Sequence, residues 1–406
     1  MKIKIFVLLA LGVSAFFPLN CPPIDIRCFP SDNPWNWDVS GMAVHPLSND
    51  YVASIGATKN LHPDFGKDGG IPYTLSTAKE AKVSFVVPSE SDAGPYYIPS
   101  GAPIEGGGAG GDSHVLAVDP KGMKLYELFH TKEKNGGWEA SSGAVFDLSS
   151  NKMRPDGWTS GDAAGLPIFT GLVRYDEVAR GAINHAIRFT VTVSQKKYFY
   201  PGTHYASSNA SPKTPPMGLR MRLKAGANAG GLGKQAGVIA AALKKYGMLN
   251  ADNGGDWFIS GAPDDKWNAQ DINGLKRFKG TDFEAVLTVD DNNKPVRPVS
   301  GLVYDRGLNP SKSVLIGSAK VGSGALWEGK TARFYGIPTG KLSIKVVDSE
   351  DNDVRRINNK SGEVSWDLKN DKGQTVPPGK YKIKVKDSTG ATTKFEVEVI
   401  EKPTKK

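Results

Sequence analysis

The residues in this sequence that could carry chemistry are polar groups set into apolar strand patterns, or placed in loops rich in turn formers. In Ile183 to Val193, the residues Ile183, His185, Ile187, Phe189, Val191 and Val193 fall on one face. Asn184, Ala186, Arg188, Thr190 and Thr192 fall on the other, as the period of two in an extended chain requires. His185 therefore stands in an apolar row, and an imidazole with an ordinary pKa near 6.5 suits proton transfer at neutral pH. Glu127 stands likewise between Leu125 and Phe129. A carboxyl in such a row is desolvated, its pKa rises, and it can act as an acid. Asp162 lies in the Gly/Pro-punctuated stretch from Arg154 onward, where a rigid scaffold can present a loop carboxylate. Glu127, His185 and Asp162 are the expected catalytic set. Each has a structural alternative: Glu127 paired with Arg174 or Arg188, His185 hydrogen-bonded in the core, Asp162 capping a turn.

Around these lie residues suited to holding a ligand: His114, Trp158, Arg188, His204 and Tyr205. A Trp beside carboxylates suits a sugar ring, which offers one apolar face and a rim of hydroxyls. If Glu127 and His185 are to serve one site, the strands that carry them must oppose or adjoin. The expected groove then gathers His185, Arg188 and the 154–162 loop near Glu127 and His114. Arg188 is its weakest member, because it points to the other face of its strand.

The elements that must position these groups are mostly strands. GDSHVLAVDPKGMKLYELFH (111–130) reads as two strands, Val115–Asp119 and Lys124–Phe129, around an Asp-Pro-Lys-Gly turn. Trp138 to Leu148 reads as one further strand, and Met217 to Leu223 as another with Arg220 and Arg222 on one face. Gln235 to Tyr246 is the clear helix, with Val238, Ile239, Ala242, Leu243 and Tyr246 apolar and Gly247 placed to end it. The fold class expected is mainly β: a β-rich, sandwich-like main domain with one or two helices and a second β-sandwich.

GDSH lacks the apolar strand and the partner Asp-x-x-His of the esterases it suggests. GGGAGG lacks the Gly-Lys-Ser/Thr ending of a phosphate loop. Asp252, Asn253 and Asp256 lack EF-hand spacing. No metal centre or cofactor is expected.

The start, MKIKIFVLLALGVSA, has two lysines, an apolar run and small residues at 13–15. It reads as a signal peptide (1–15), too short for the roughly 20 residues of a membrane span. Export is therefore expected, to the medium or the cell surface, with Cys21 as a possible lipid anchor. Cys21 and Cys28, the only two cysteines, could close a small disulfide loop in an exported chain. The net charge of +9 is uneven: seventeen Lys/Arg against eleven Asp/Glu lie in 330–406. The rest is close to balanced, which argues against nucleic acid as a partner.

FYGIPTGKLSIKVVDSEDNDVRRI, SGEVSWDLKNDKGQTV and PPGKYKIKVKD resemble the FlgD-like immunoglobulin-like domain found at the C-termini of secreted bacterial proteins. That resemblance implies an appendage over 299–401 with no catalytic set. GWTSGDAAGLPIFTGLVRYDEV and INHAIRFTV resemble a group of secreted bacterial proteins of unassigned function, and carry over no catalytic residue. The remaining divisions are an N-terminal segment (16–38), the main domain (39–287), a linker (288–298) and a basic tail (402–406).

The expected function is binding or processing of extracellular polysaccharide; the alternative is a non-catalytic surface or adhesion protein. A hydrolase would use two carboxyls across a groove. A lyase acting on acidic sugars would use His185 or Tyr205 as base and Arg188 as cation.

Overall fold

The computed structural model describes residues 20–108, 110–290, 293–296, 313–316, 331–334, 342–359, 364–366, 368–386 and 392–399. The signal-peptide and basic-tail expectations, and residues 291, 292, 297 and 298 of the expected linker, lie outside these residues. In chain order come α1 (Ser48–Ile55), β1 (His62–Asp64), β2 (Thr74–Leu75), β3 (Val83–Phe85), β4 (Val115–Asp119), β5 (Lys124–Phe129), β6 (Lys132–Lys134), β7 (Gly137–Ala140) and β8 (Ser142–Asp147). Then follow α2 (Ile168–Gly171), α3 (Tyr175–Arg180), β9 (Ile187–Val191), β10 (Arg220–Leu223), α4 (Lys234–Lys245), β11 (Met248–Asn253), β12 (Phe258–Ser260), α5 (Ala269–Asn273) and β13 (Phe283–Ala285). Strand outweighs helix, and the chain is mainly β, as its composition and alternation predict.

Three sheets share these strands: a mixed six-stranded sheet in the order β1-β12-β9-β11-β10-β13, a four-stranded sheet β2-β4-β5-β8, and a three-stranded sheet β3-β7-β6. The β4–β5 hairpin forms where its turn residues place it, pairing Leu116 with Glu127 and Val118 with Leu125. Its alternation divides two cores. Leu116, Val118 and Leu125 pack in the large core with Ile187, Phe189 and Val191. Val115, Ala117, Tyr126 and Leu128 pack on the other side with Tyr96, Ile98 and Trp138. The four-stranded sheet is thus buried on both faces, which places Glu127 in the interior and fully out of solvent.

The structure departs from the sequence reading in several places. The strand expected over 183–193 is only Ile187–Val191, and it is buried on both faces. β9 lies between β11 and β12 near the middle of its sheet. Arg188 can go inside because its charge is paired there, as described below. The strand expected over 138–148 is two, β7 and β8, in different sheets. Short helices accompany the expected one. α1 carries buried Ser48, Tyr51, Val52 and Ile55, the i, i+3, i+4, i+7 signature; α2 and α3 are too short to show a period. Asp271, on α5, caps a second helix: it accepts from Gln235 N (2.9 Å) and Ala236 N (3.2 Å) at the start of α4. Cys21 and Cys28 are both free thiols. Cys21 accepts from Tyr73 N at 3.4 Å, while Cys28 is in the core.

The later strands are β14 (Ser313–Ile316), β15 (Thr331–Phe334), β16 (Leu342–Val347), β17 (Asp353–Asn359), β18 (Val364–Trp366), β19 (Gly379–Lys386) and β20 (Thr392–Val399). They form two sheets, β14-β15-β18 and β17-β16-β19-β20. Trp366 of the first meets Tyr381 of the second edge-on at 5.2 Å and is almost fully buried. No helix among the described residues is long and apolar enough to cross a membrane.

Candidate functional site

The densest group of buried charge lies where the large sheet meets the Gly-rich loop before β4. Arg188, on β9, sends Nε to both carboxylate oxygens of Asp162 (2.9 Å each) and Nη2 to Asp162 Oδ1 (2.5 Å). Its Nη1 donates to Ser260 Oγ on β12 (2.6 Å), and Asp252 Oδ2 on β11 stands 3.6 Å from Nη2. Asp162 is fixed from below by its own loop: its carbonyl accepts from Thr159 Oγ1, Ser160 N and Gly165 N. Burial works against the Arg188 charge, but Asp162, by charge and hydrogen bond, raises its pKa above the ordinary arginine value. The pair is an ion pair. Its fork geometry is what makes a buried guanidinium–carboxylate contact tolerable.

Beside it, Glu105 and His114 close the Gly-rich loop. Glu105 N donates to the His114 carbonyl (2.9 Å), and His114 Nδ1 donates to Glu105 Oε2 (2.6 Å). His114 Nε2 donates to the Gly161 carbonyl (3.0 Å). Both ring nitrogens face acceptors, so the ring is held as an imidazolium. Burial opposes that charge, yet Glu105 lifts the pKa to about 9. Reciprocally, burial would raise Glu105, and His114 overrides it and holds the carboxyl below its usual range. Between the two, Gly106 and Gly107 have φ of 61° and 66°, a conformation that favours glycine over any side chain.

Glu127 completes the interior. Its Oε1 accepts from Ile168 N (2.9 Å) and Phe169 N (3.1 Å), the first amides of α2. Its Oε2 has no hydrogen-bond partner among the described residues. It lies beside Gly161, where a Cβ would be 3.6 Å from both Glu127 Oε2 and His114 Cδ2. Burial pushes the Glu127 pKa up to about 8. Asp252 rises to about 7, first through burial and then through Asp162 nearby.

Glu105, His114 and Arg188 open into a cleft of about 300 Å³, whose walls include Asp64, Asp68, Asp112, Asn253 and Phe258. Of the residues expected from the sequence, Glu127, Asp162, His114 and Arg188 therefore meet. Arg188 joins through a buried polar face rather than a strand end. His185 does not belong to this group. Its Nδ1 donates to the Ala186 carbonyl (2.7 Å), and Nε2 meets Glu177 Oε2 (3.1 Å). Glu177 in turn holds Arg174 at 2.7 Å. These residues line a different cleft, of about 480 Å³, with Cys28, Asn36 and Tyr246. The physical reason is that His185 precedes β9 rather than lying within it, so the alternation that placed it with Glu127 does not reach it.

His204 and Tyr205 lie in a loop, as rings 5.8 Å apart and 5° from parallel, with Tyr198 6.4 Å beyond Tyr205. Adjacent residues can share a face here because the chain is not extended. His204 Nδ1 meets the carbonyl of Ala163, next to Asp162, at 2.7 Å. Asn253 Nδ2 donates to the Ala206 carbonyl (3.0 Å). This aromatic shelf thereby adjoins the cleft wall. Trp158 is half-buried, with the Arg154 guanidinium 5.5 Å above its ring.

Glu105, Asp252, Ser260 and Phe258 are site residues the sequence reading passed over. Glu105 precedes a glycine run that reads as plain linker, and Asp252 reads as turn-forming. The one available signal was the Glu105 to His114 spacing across glycines, which lets a loop close on itself.

No family model matches the chain, and no curated protein matches it. Two are among the solved structures that match part of it. One is PorZ, a surface component of the type IX secretion system of Porphyromonas gingivalis: 22% identity over 15% of this chain and 8% of that one, TM-score 0.14. The other is FlgD from P. aeruginosa: 30% identity over 16% of this chain and 52% of that one, TM-score 0.13. The matched parts span 8% and 52% of those proteins, and the likeness assigns no chemistry to the site.

Proposed function

We propose that this protein is exported and engages an extracellular polysaccharide in the Glu105–His114–Arg188 cleft, cutting it by carboxyl acid–base chemistry. The observation that supports this best is a pair of carboxyls tuned in opposite directions around one buried cation. Glu105 is held ionised by His114, and Asp252 is raised to about 7. Both act on Arg188. Two carboxyls of unequal pKa supply the base and the acid that glycosidic cleavage needs. Asp252 would protonate the leaving oxygen, and Glu105 would attack the sugar or activate water. Arg188, fixed by Asp162 and Ser260, stands 3.6 Å from Asp252, and His114 holds Glu105. Phe258 offers the apolar wall, and the His204–Tyr205–Tyr198 shelf extends it along a chain. The C-terminal strands, in this reading, are a FlgD-like immunoglobulin-like appendage, supported by the SGEVSWDL and PPGKYKIKV patterns.

The test is reducing-end release from a panel of polysaccharides. Asp252→Asn and Glu105→Gln are each expected to lower turnover roughly 100-fold or more while the protein stays folded. Neither binding nor release with any glycan would end the reading. A second reading, recognition without cleavage, draws on His114 and Arg188 having their hydrogen bonds closed within the protein. It expects tight binding with the polymer left intact.

A further inference from the structure

The cleft of about 480 Å³ beside His185 has no part in the proposed cleavage, and we infer that it binds a small oxyanion, a carboxylate or phosphate carried on a polar molecule. It lies between the N-terminal segment, α3 and the loop that follows α3, and its volume suits a small-molecule site. Four cations gather there, Arg27, Arg174, Arg180 and His185, against three carboxylates, Asp25, Asp176 and Glu177. The carboxylates are shared. Glu177 alone serves both Arg174 Nη2 (2.7 Å) and His185 Nε2 (3.1 Å). His185 Nδ1 faces the Ala186 carbonyl (2.7 Å), so both ring nitrogens meet acceptors and the arrangement suits an imidazolium. Asp176 holds Arg180 at 3.0 Å and lies 3.7 Å from Arg174 Nε. Arg174 is almost wholly buried, yet its Nε and Nη2 have no hydrogen bond among the described residues. Arg27 is exposed on the cleft, and its side chain makes no hydrogen bond or ion pair with another described residue.

A fifth cation stands behind the wall. Arg220 is fully buried, with no carboxylate among its hydrogen-bond partners. It donates to the carbonyls of Tyr246, which lines the cleft, and of Pro34, two residues before Asn36, which lines it too. Burial pulls its pKa down to about 9. A buried cation without a counter-charge is costly, and this one adds to the positive excess already at the cleft. A cleft with an excess of one sign concentrates the opposite ion. An oxyanion supplies the missing negative charge, and Asn184, exposed there and likewise without a side-chain partner among the described residues, offers it an amide donor. A cation is repelled by the same excess, and a neutral sugar gains nothing from it.

The experiment is calorimetric titration of the intact protein, at low salt and mildly acidic pH, with inorganic phosphate, glucose 6-phosphate, glucuronate and glucose. The anions should bind more tightly than glucose and weaken with salt. A preference between glucuronate and glucose 6-phosphate distinguishes a carboxylate source from a phosphate one, and either supports the site. Arg27→Gln and Asn184→Asp should each lower anion affinity about tenfold. Asp25→Asn, which removes a carboxylate 3.9 Å from Arg180, should raise it about two- to threefold, a gain that misfolding cannot mimic. All three residues are exposed, so circular dichroism of the variants should match that of the parent. If the anions bind no more tightly than glucose, or the three variants leave anion affinity unchanged, the inference falls, and the glycan cleft is untouched by that result.

Discussion

Glu127 and His114 both leave the unfolded chain for an interior that shifts their ionisation, and each makes stability depend on pH. Burial raises the Glu127 pKa to about 8. Its contribution is therefore complete below the ordinary glutamate value and is lost as pH rises through about 8. His114 is raised to about 9 by Glu105 against the cost of burial. Its contribution is complete below the ordinary histidine value and is lost as pH rises through about 9. Both act in the same direction, so denaturant midpoints should fall steadily from mildly acidic to alkaline pH. Glu127→Gln keeps an acceptor for Ile168 N and Phe169 N and should flatten the acid-side part of that slope. Glu127→Ala leaves both buried amides unpaired and should cost about 1–3 kcal/mol. A midpoint independent of pH in the parent protein would contradict both assignments.

At the level of elements, β9 and the Asp162 loop depend on one another. Arg188 joins β9, β12 and that loop through Ser260 and Asp162, so the pair positions three segments at once. Asp162→Ala would leave the guanidinium buried without its carboxylate and should cost about 3–5 kcal/mol. Asp162→Ala with Arg188→Met removes both charges and should recover much of that loss, though not activity. Thermal unfolding of the single and double variants checks the sign. The start of α4 offers a smaller case. Asp271 accepts from Gln235 N and Ala236 N, and Asp271→Ala should cost about 1 kcal/mol, the usual weight of a side-chain cap.

On the scale of the whole molecule, the strands from β14 onward pair only among themselves among the described residues, with Trp366 buried against Tyr381. If 299–401 is a separate appendage, calorimetry should resolve two transitions. Trp366→Ala should then lower one of them by about 3–5 kcal/mol, as large core truncations do, and leave the other and the cleft's ligand affinity unchanged. A single transition that shifts as a whole would mean the two parts unfold together.

Local pattern determined a good deal of this protein. The Asp-Pro-Lys-Gly turn and the flanking alternation located β4 and β5, and the 3.6-residue period with Gly247 located α4. Each of these signals lies within about a dozen neighbouring residues, where steric preference and hydrophobic period act. The sequence also showed that Glu127 and His185 are unusual, because each stands in an apolar neighbourhood. It could not show their partners. Arg188 finds Asp162 26 residues away and Ser260 72 away, and Glu127 finds Ile168 41 away. Only the order of strands in the sheets decides such meetings. That order placed Arg188 inside, because a charge can be buried only where the fold delivers its counter-charge, while the loops beside the strands brought His185 to Glu177 and Glu105 to His114.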